Sequence, residues 1–444
     1  MISEASKKDL LWGYLAQFLN IGSGIIIIPV AIKYLSVEDM GLWYLFIAIV
    51  GLAQLLEFGL QPTISRLTSY IYSGAKELKA EGIPSQGGSF DYQLLFDLIH
   101  AAKIMYRYVS VGVALTLLII GTAYLNTFEE FRHEQALAWL LFSISSIINF
   151  YFTYFNGLIT GRGEQQELYR ITAISKLVML SVSIPLLMNQ VGLLSMAIAA
   201  FISTVLARIM LYKVFYNGAR KEIEVIKNIK DISSNYLKTL WLSAWKLGVT
   251  SFGAFLILRA NLFIASSFFG LAIAASYGLT VQLILILSSV SSIILNLNLP
   301  KLNALQNMGD KAGLRRIFFR SLIVTHILYL TGGIFIVVIG IPLLDMISSN
   351  TKLVSVPVLI LMLLMYQLEL NHSVCATYLT TLNKVPFVYA SLISGGLIVC
   401  ISLSLSAYTA LGLIGLILSQ FFIQLIYNNW YWPMVTYRDL KNES

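Results

Sequence analysis

The sequence predicts an all-α polytopic membrane protein of about twelve transmembrane helices, and three observations predict it. The chain of 444 residues is 57% hydrophobic and only 12% charged, where soluble domains carry roughly 25% charged residues. Its mean hydropathy is +0.78. Apolar runs of about 20 residues, the length a helix needs to cross the hydrocarbon core, recur along the whole chain. Helices are expected because a backbone in lipid must satisfy its own hydrogen bonds. The alternating pattern of an outer-membrane barrel is absent.

The first segment, 11–33, follows two lysines in "MISEASKKDLLWGYLAQF". It is too long for a signal-peptide core and has no small-x-small cleavage site before a polar start, so it reads as an uncleaved first helix. The remaining segments are 41–61, 104–125, 136–158, 168–188, 192–215, 241–268, 271–299, 319–344, 353–380, 385–406 and 409–432. Lysine and arginine orient them. With both termini and every even-numbered connection placed in the cytoplasm, only Lys33, Arg132 and Lys352 of the 30 basic residues fall in outer connections. That is a strong positive-inside asymmetry. It accounts for the basic loops "GARKEIEVIKNIK" and "DKAGLRRIFFR", so no nucleic-acid partner is expected.

The two halves resemble each other. "YLSVEDMGLWYLFIAIVGLAQLLEFGLQPTISRL" (34–67) can be laid on "FFGLAIAASYGLTVQLILILSSVSSIILNLNLPKL" (268–302), matching Gly41 with Gly278 and Pro62–Arg66 with Pro300–Lys301. Both stretches hold the first connection and second span of a six-span unit, and six spans return the chain to its starting side, as parallel repeats require. The expected organisation is two six-helix bundles, 1–218 (with a cytoplasmic connection at 63–103) and 241–444, joined by a cytoplasmic linker at 219–240.

Several chemistries find no support in the residues. Cys375 and Cys400 lie in apolar runs and read as small core residues. The four histidines are scattered, and no metal site is expected. No phosphate-binding loop is present, so direct ATP hydrolysis is not expected. The longest outer connection is about ten residues, short for the catalytic loop of a membrane polysaccharide polymerase or ligase. An enzyme is therefore not expected.

Charges inside the spans carry the functional reading, because an embedded charge is expensive and faces a cavity or a partner. Five bases are embedded, Arg107, Lys176, Arg208, Lys246 and Arg259, against two acids, Glu57 and Glu369. Arg107 and Lys246 lie close enough to the inner end of their spans to snorkel. Arg259 is near mid-span, where its bland reading is a pair with Glu57 or Glu369. Glu57 lies ~24 Å below the outer end of the second span, within reach of Arg66 or Lys103 as structural partners. As a functional group it would, like Glu369, be a gate or coupling carboxylate, and Gly59 and Pro62 would let the helix bend there. A cavity lined by Arg259, Lys176, Arg208 and Lys246 favours an anionic headgroup, arginine as a planar fork and lysine as a point charge. The aromatic runs "NFYFTYFNG" and "NNWYWP" suit an interfacial belt or a sugar-stacking platform.

The stretches "IPVAIKYLSVEDMGLWY", "LLEFGLQPTISRLTS" and "YGLTVQLILILSSVSSIILNLNLPKL" resemble Wzx-type lipid-linked oligosaccharide flippases of the MOP exporter superfamily, which also contains the MATE transporters. The resemblance extends over the chain in span count and layout. It implies a MATE-like fold and an acid-Phe-Gly-Leu stretch closing span two, the acid position being Glu57. Such flippases often carry an aspartate in span seven, where this chain reads "LRANLFIAS". The implied substrate is an oligosaccharide on undecaprenyl pyrophosphate, moved from the cytoplasmic to the periplasmic leaflet of the bacterial inner membrane for O-antigen or capsule synthesis. Polysaccharide polymerase or assembly proteins are candidate partners. No cofactor is expected, and H+ and Na+ are the candidate coupling ions. The rival reading is a MATE-like cation-coupled multidrug exporter, whose cationic substrates favour embedded acids over bases. The topology is testable by labelling single cysteines: positions 230 and 311 are expected to be shielded from an impermeant maleimide in intact cells and position 130 labelled. Labelling of position 311 from outside would overturn the twelve-span arrangement.

Overall fold

The computed structural model describes residues 7–79, 90–216, 221–308, 310–382 and 386–441. The first part of the chain forms α1 (Lys7–Tyr34), α2 (Val37–Gln54), α3 (Leu60–Tyr72), α4 (Tyr92–Leu115), α5 (Thr122–Leu125), α6 (His133–Tyr151), α7 (Tyr154–Gly161), α8 (Gln165–Met188), α9 (Leu194–Phe215) and α10 (Lys221–Asn228). The second part forms α11 (Leu237–Phe269), α12 (Leu271–Ser291), α13 (Ile293–Met308), α14 (Lys311–Phe335), α15 (Ile341–Met346), α16 (Val356–Thr380), α17 (Val388–Tyr408), α18 (Leu413–Ile426) and α19 (Asn428–Lys441). Each of the twelve predicted segments coincides with a helix. Among the described residues, ten helical stretches are long and apolar enough to span a membrane. The two that fall short are the first, apolar over Gly22–Tyr34, and the last, α18, at 14 residues.

The helices form two compact units, one of residues 1–30 and 49–251, the other of residues 31–48 and 252–444. The first connection thus belongs with the C-terminal chain, and packing gives the reason. The backbone at Gly41 lies so close to the Leu271 carbonyl that no Cβ fits, and a Cβ on Gly278 would stand 2.6 Å from the Tyr44 ring. The two glycines matched in the sequence are therefore close-approach positions. Asn350 completes this contact, its side chain donating to the Lys33 and Leu35 carbonyls at 3.1 and 2.8 Å.

Helix breaks recur at corresponding places. Span two ends in a 3₁₀ turn, Leu55–Glu57, followed by Phe58 and Gly59 at φ 47° and 73°. Left-handed backbone costs glycine little but a phenylalanine more, so this pair, not Pro62, turns the chain into α3. Pro62 lies inside the first turn of α3, where its missing N–H breaks no helical hydrogen bond. In the second half the break falls at Ser292. There Ser288, Ser289, Ser291 and Ser292 all donate to the carbonyl four residues earlier, at 2.8–2.9 Å, a pattern that bends helices. Spans three and nine share a device too. Each passes through a π-helical turn, Thr116–Gly121 or Ile336–Gly340, before a short final helix.

In the N-terminal unit, α8 and α6 pack on α9, and α3 packs on α7. The α3–α7 contact uses "GLITG". A Cβ on Gly157 would meet the Gln61 carbonyl at 2.9 Å, and one on Gly161 would meet the Thr68 Cβ at 2.5 Å. Small residues four apart let two helices approach closely where lipid offers no hydrophobic drive. Gly161→Leu is expected to force these helices apart and destabilise the protein by about 1–3 kcal/mol, read as an earlier midpoint in detergent unfolding. An unchanged midpoint would show that the close approach is dispensable.

Candidate functional site

The N-terminal unit contains a cavity of about 340 Å³ lined from α3, α6, α7, α8 and α9, a volume at the lower end of ligand sites. Helical periodicity supplies its walls. On α8 the lining positions Gln165, Leu168, Thr172 and Lys176 fall on one face, and on α9 Thr204, Arg208 and Leu211 do the same. Asn149 near the end of α6 and Asn156 on α7 are seven residues apart, two helical turns, and line the same cavity across the break at Phe152–Thr153.

Arg208 is held almost entirely by these groups. Its Nε and one Nη donate to the Asn149 Oδ1 at 3.2 and 2.5 Å. The other Nη donates to the Asn156 Oδ1 at 3.1 Å and to the Phe152 carbonyl at 3.4 Å. That carbonyl also accepts from the Phe155 N–H at 3.2 Å, so Arg208 takes its second lone pair. Lys176 is different. Among the described residues its ammonium makes no hydrogen bond or ion pair, and it faces the same cavity. No carboxylate lines the cavity.

Glu57 lies behind this wall. Its carboxylate accepts a 2.7 Å hydrogen bond from the buried Tyr106 hydroxyl, and the Gln61 backbone and Arg208 act on it electrostatically without an ion pair. The structural partners considered from sequence are elsewhere. Lys103 lies over the Tyr216 ring at 5.6 Å, and Arg66 is exposed. The side chain of Lys246, also predicted for the cationic cavity, lies outside the described residues.

The C-terminal unit holds the other two candidates, and they form no pair with each other. Arg259 on α11 makes no ion pair or hydrogen bond among the described residues. Its charge and that of Glu369 both act on the Tyr366 hydroxyl, a buried group without a hydrogen-bond partner. Glu369 stands 3.4 Å from His372 Nδ1, one turn on along α16. Nearby, His326 on α14 bridges Gln367 and Asn371 of α16, its Nε2 lying 3.2 Å from the Asn371 side chain. Asn261, which stands in the span-seven stretch "LRANLFIAS", is buried; it donates to Gln420 at 3.3 Å and accepts from Ser402 at 3.0 Å. Gln420 is thus a bridge between helices. The aromatic run on α7 also packs inward, Phe155 lying 5.4 Å from Phe215.

The sequence reading missed Asn149, Asn156 and Tyr106. The asparagines stood inside a run noticed for its aromatics, and their seven-residue spacing was the available signal. Tyr106 gave none, since one tyrosine in an apolar span is unremarkable. Tyr106→Phe is expected to leave the Glu57 carboxylate short of a donor and to cost about 1–3 kcal/mol, read by detergent unfolding. Adding Glu57→Gln is expected to recover most of that loss, because a neutral amide suffers less from the missing donor. Equal midpoints for wild type and Tyr106→Phe would show that the hydrogen bond contributes nothing.

No protein-family model matches the chain, and no curated protein matches it in sequence. Solved structures do. The inward-facing conformation of a multidrug resistance MATE family transporter of the MOP superfamily is similar with a TM-score of 0.68 at 14% identity, over 96% of each chain. The outward-facing conformation of such a transporter gives 0.60 at 14% identity, over 97% of this chain and 93% of that one. A MOP superfamily transporter from Pyrococcus furiosus, described by a reverse polarity of its binding pocket that suggests a different function, gives 0.55 at 13% identity, over 100% and 98%. At such identities the likeness is one of fold, and along nearly its whole length this chain has a MATE-like fold.

Proposed function

We propose that this chain is a transporter that flips a polyprenyl-pyrophosphate-linked oligosaccharide from the cytoplasmic to the periplasmic leaflet of the bacterial inner membrane. It would work by alternating access, with both termini in the cytoplasm, and supply surface polysaccharide synthesis. The observation that carries this reading is the unpaired Lys176 ammonium beside Arg208 in a cavity walled by amides and hydroxyls and free of carboxylates. An anionic head finds charge and hydrogen-bond donors there, while its hydrocarbon tail stays in lipid. A cation finds repulsion. At an effective dielectric of about 20, a monovalent cation ~6 Å from one unpaired ammonium is opposed by roughly 3 kcal/mol, about two decades of affinity. Sugar hydroxyls suit Asn149, Asn156 and Thr204. Glu57 is the candidate gate or coupling carboxylate, and H+ or Na+ the candidate coupling ion.

The second reading, a cation-coupled multidrug exporter, draws on the multidrug resistance names of the structural neighbours and on the embedded Glu57. Pocket polarity is not set by the fold: one neighbour is itself described by a reversed polarity. The charge of this chain's own cavity supports the first reading. Deleting the gene is expected to strand polyprenyl-linked oligosaccharide in the inner leaflet and lower surface polysaccharide, with resistance to cationic dyes unchanged. Dye accumulation with intact surface glycan would establish the exporter instead.

A further inference from the structure

The Arg208 guanidinium has donors and no acceptor. Both asparagines that contact it must therefore turn their carboxamide oxygens toward it, and each N–H₂ group then faces away from the cation. Neither the Asn149 nor the Asn156 nitrogen donates to another protein group among the described residues, and both side chains line the cavity. Gln165 is set the same way: its oxygen accepts from the Thr160 hydroxyl at 2.9 Å, which frees its nitrogen. The Thr204 hydroxyl is tied to Ser145 at 3.1 Å, and the single Ser145 proton also has the Ala200 carbonyl at 3.2 Å as an acceptor. With the Lys176 ammonium, these carboxamide nitrogens give the wall its free donors, while the Thr160 and Ser175 hydroxyls donate to protein oxygens. Arg208 itself has spent four of its five N–H groups on protein acceptors, and the edge that grips oxyanions in bidentate fashion is occupied by Asn149.

We propose that this cavity is an oxyanion site in which Lys176 and the carboxamide nitrogens of Asn149 and Asn156 touch the anion, and Arg208 is a positioning residue that turns both amides. The ligand class is a phosphoryl or pyrophosphoryl group. The inference rests on the reading of this cavity as the place that holds the headgroup, and it assigns the contacts within it. Lys176 supplies the charge that no protein oxygen meets among the described residues, whereas the Arg208 N–H groups are met by the two amides and the Phe152 carbonyl.

The test uses the purified full chain in detergent micelles, with calorimetric titration of inorganic pyrophosphate and, separately, of undecaprenyl pyrophosphate. Asn149→Asp and Asn156→Asp keep an oxygen for Arg208, so their thermal midpoints are expected to match or exceed wild type. Each removes two donors and adds a negative charge, so affinity for either anion is expected to fall about 10- to 100-fold. Lys176→Ala is expected to fall by a similar factor and Lys176→Arg to recover within about threefold, as hydrogen bonds to charged groups are worth roughly 1.5–3 kcal/mol. Arg208→Lys keeps the charge but loses the planar fork that sets two amides, so affinity is expected to drop with it. A purely structural arginine would lower the midpoint in that variant and leave affinity unchanged in the folded fraction.

If both aspartate variants bind pyrophosphate as wild type does, the amides are not the contacts and the proposal falls. Undiminished binding by Lys176→Ala overturns it too. If the variants weaken binding of inorganic pyrophosphate while undecaprenyl pyrophosphate does not bind wild type, the oxyanion site stands and the flippase reading falls. If wild type binds neither anion but does bind ethidium, both fall.

Discussion

The polar groups of the N-terminal unit are arranged around one guanidinium that has five donors, no acceptor and no practical way to lose its proton. Inside an apolar bundle such a group has to be met by oxygens. Here those oxygens are two carboxamides and a backbone carbonyl, with the carboxylate of Glu57 kept at a distance. A direct Arg208–Glu57 ion pair would satisfy the charges at least as well locally. It would also neutralise the cavity wall and leave the asparagines free to turn either way. Holding Glu57 on Tyr106 instead keeps the two charges apart and keeps the amides ordered.

Backbone irregularity makes this arrangement possible. At the α6–α7 break the Phe152 carbonyl takes an i+3 bond from Phe155 in place of the regular i+4 bond, and it accepts from Arg208 as well. The left-handed pair Phe58–Gly59 likewise ends span two at Glu57 and starts α3 with Gln61 at the cavity. Close packing then holds the broken pieces in register. Gly157 and Gly161 press α7 against α3, so Asn156 and Thr160 face the same space as Gln61. The site is built where regular helix stops, and the glycines keep it from loosening.

The helical class and nearly every span were legible because lipid leaves a backbone few options and apolar runs of sufficient length report directly on them. Gly41 and Gly278 were visible as a repeated position, and the structure shows both as close-approach sites. Lys176 and Arg208 were visible as embedded charges, and one cavity contains both. What could not be read was pairing between distant helices. Arg208 was classed with Arg259 by charge, yet one is clasped by amides and the other makes no hydrogen bond among the described residues. His372 lay three residues from Glu369, the simplest helical spacing, and was passed over because metal-ligand patterns were sought instead. The assignment of residues 31–48 to the C-terminal unit was hidden for the same reason: it depends on Asn350 and Leu271, more than two hundred residues away in the chain.

A carboxamide beside a fixed charge behaves as an adaptor whose polarity is chosen by its neighbour. Against a guanidinium it must present N–H₂ to the far side; against a carboxylate it would present oxygen. The scaffold need not change for this to happen, because the choice lies in a side chain on α9 and two on α6 and α7. That gives a physical account of how one fold can hold sites of opposite polarity, and why function has to be argued from the site and not the fold. In this chain the adaptor is set by Arg208, the free ammonium is Lys176, and no acid lines the wall between them. Reversal would require a carboxylate at position 208, which would turn both asparagines and convert a donor-lined cavity into one lined by acceptors.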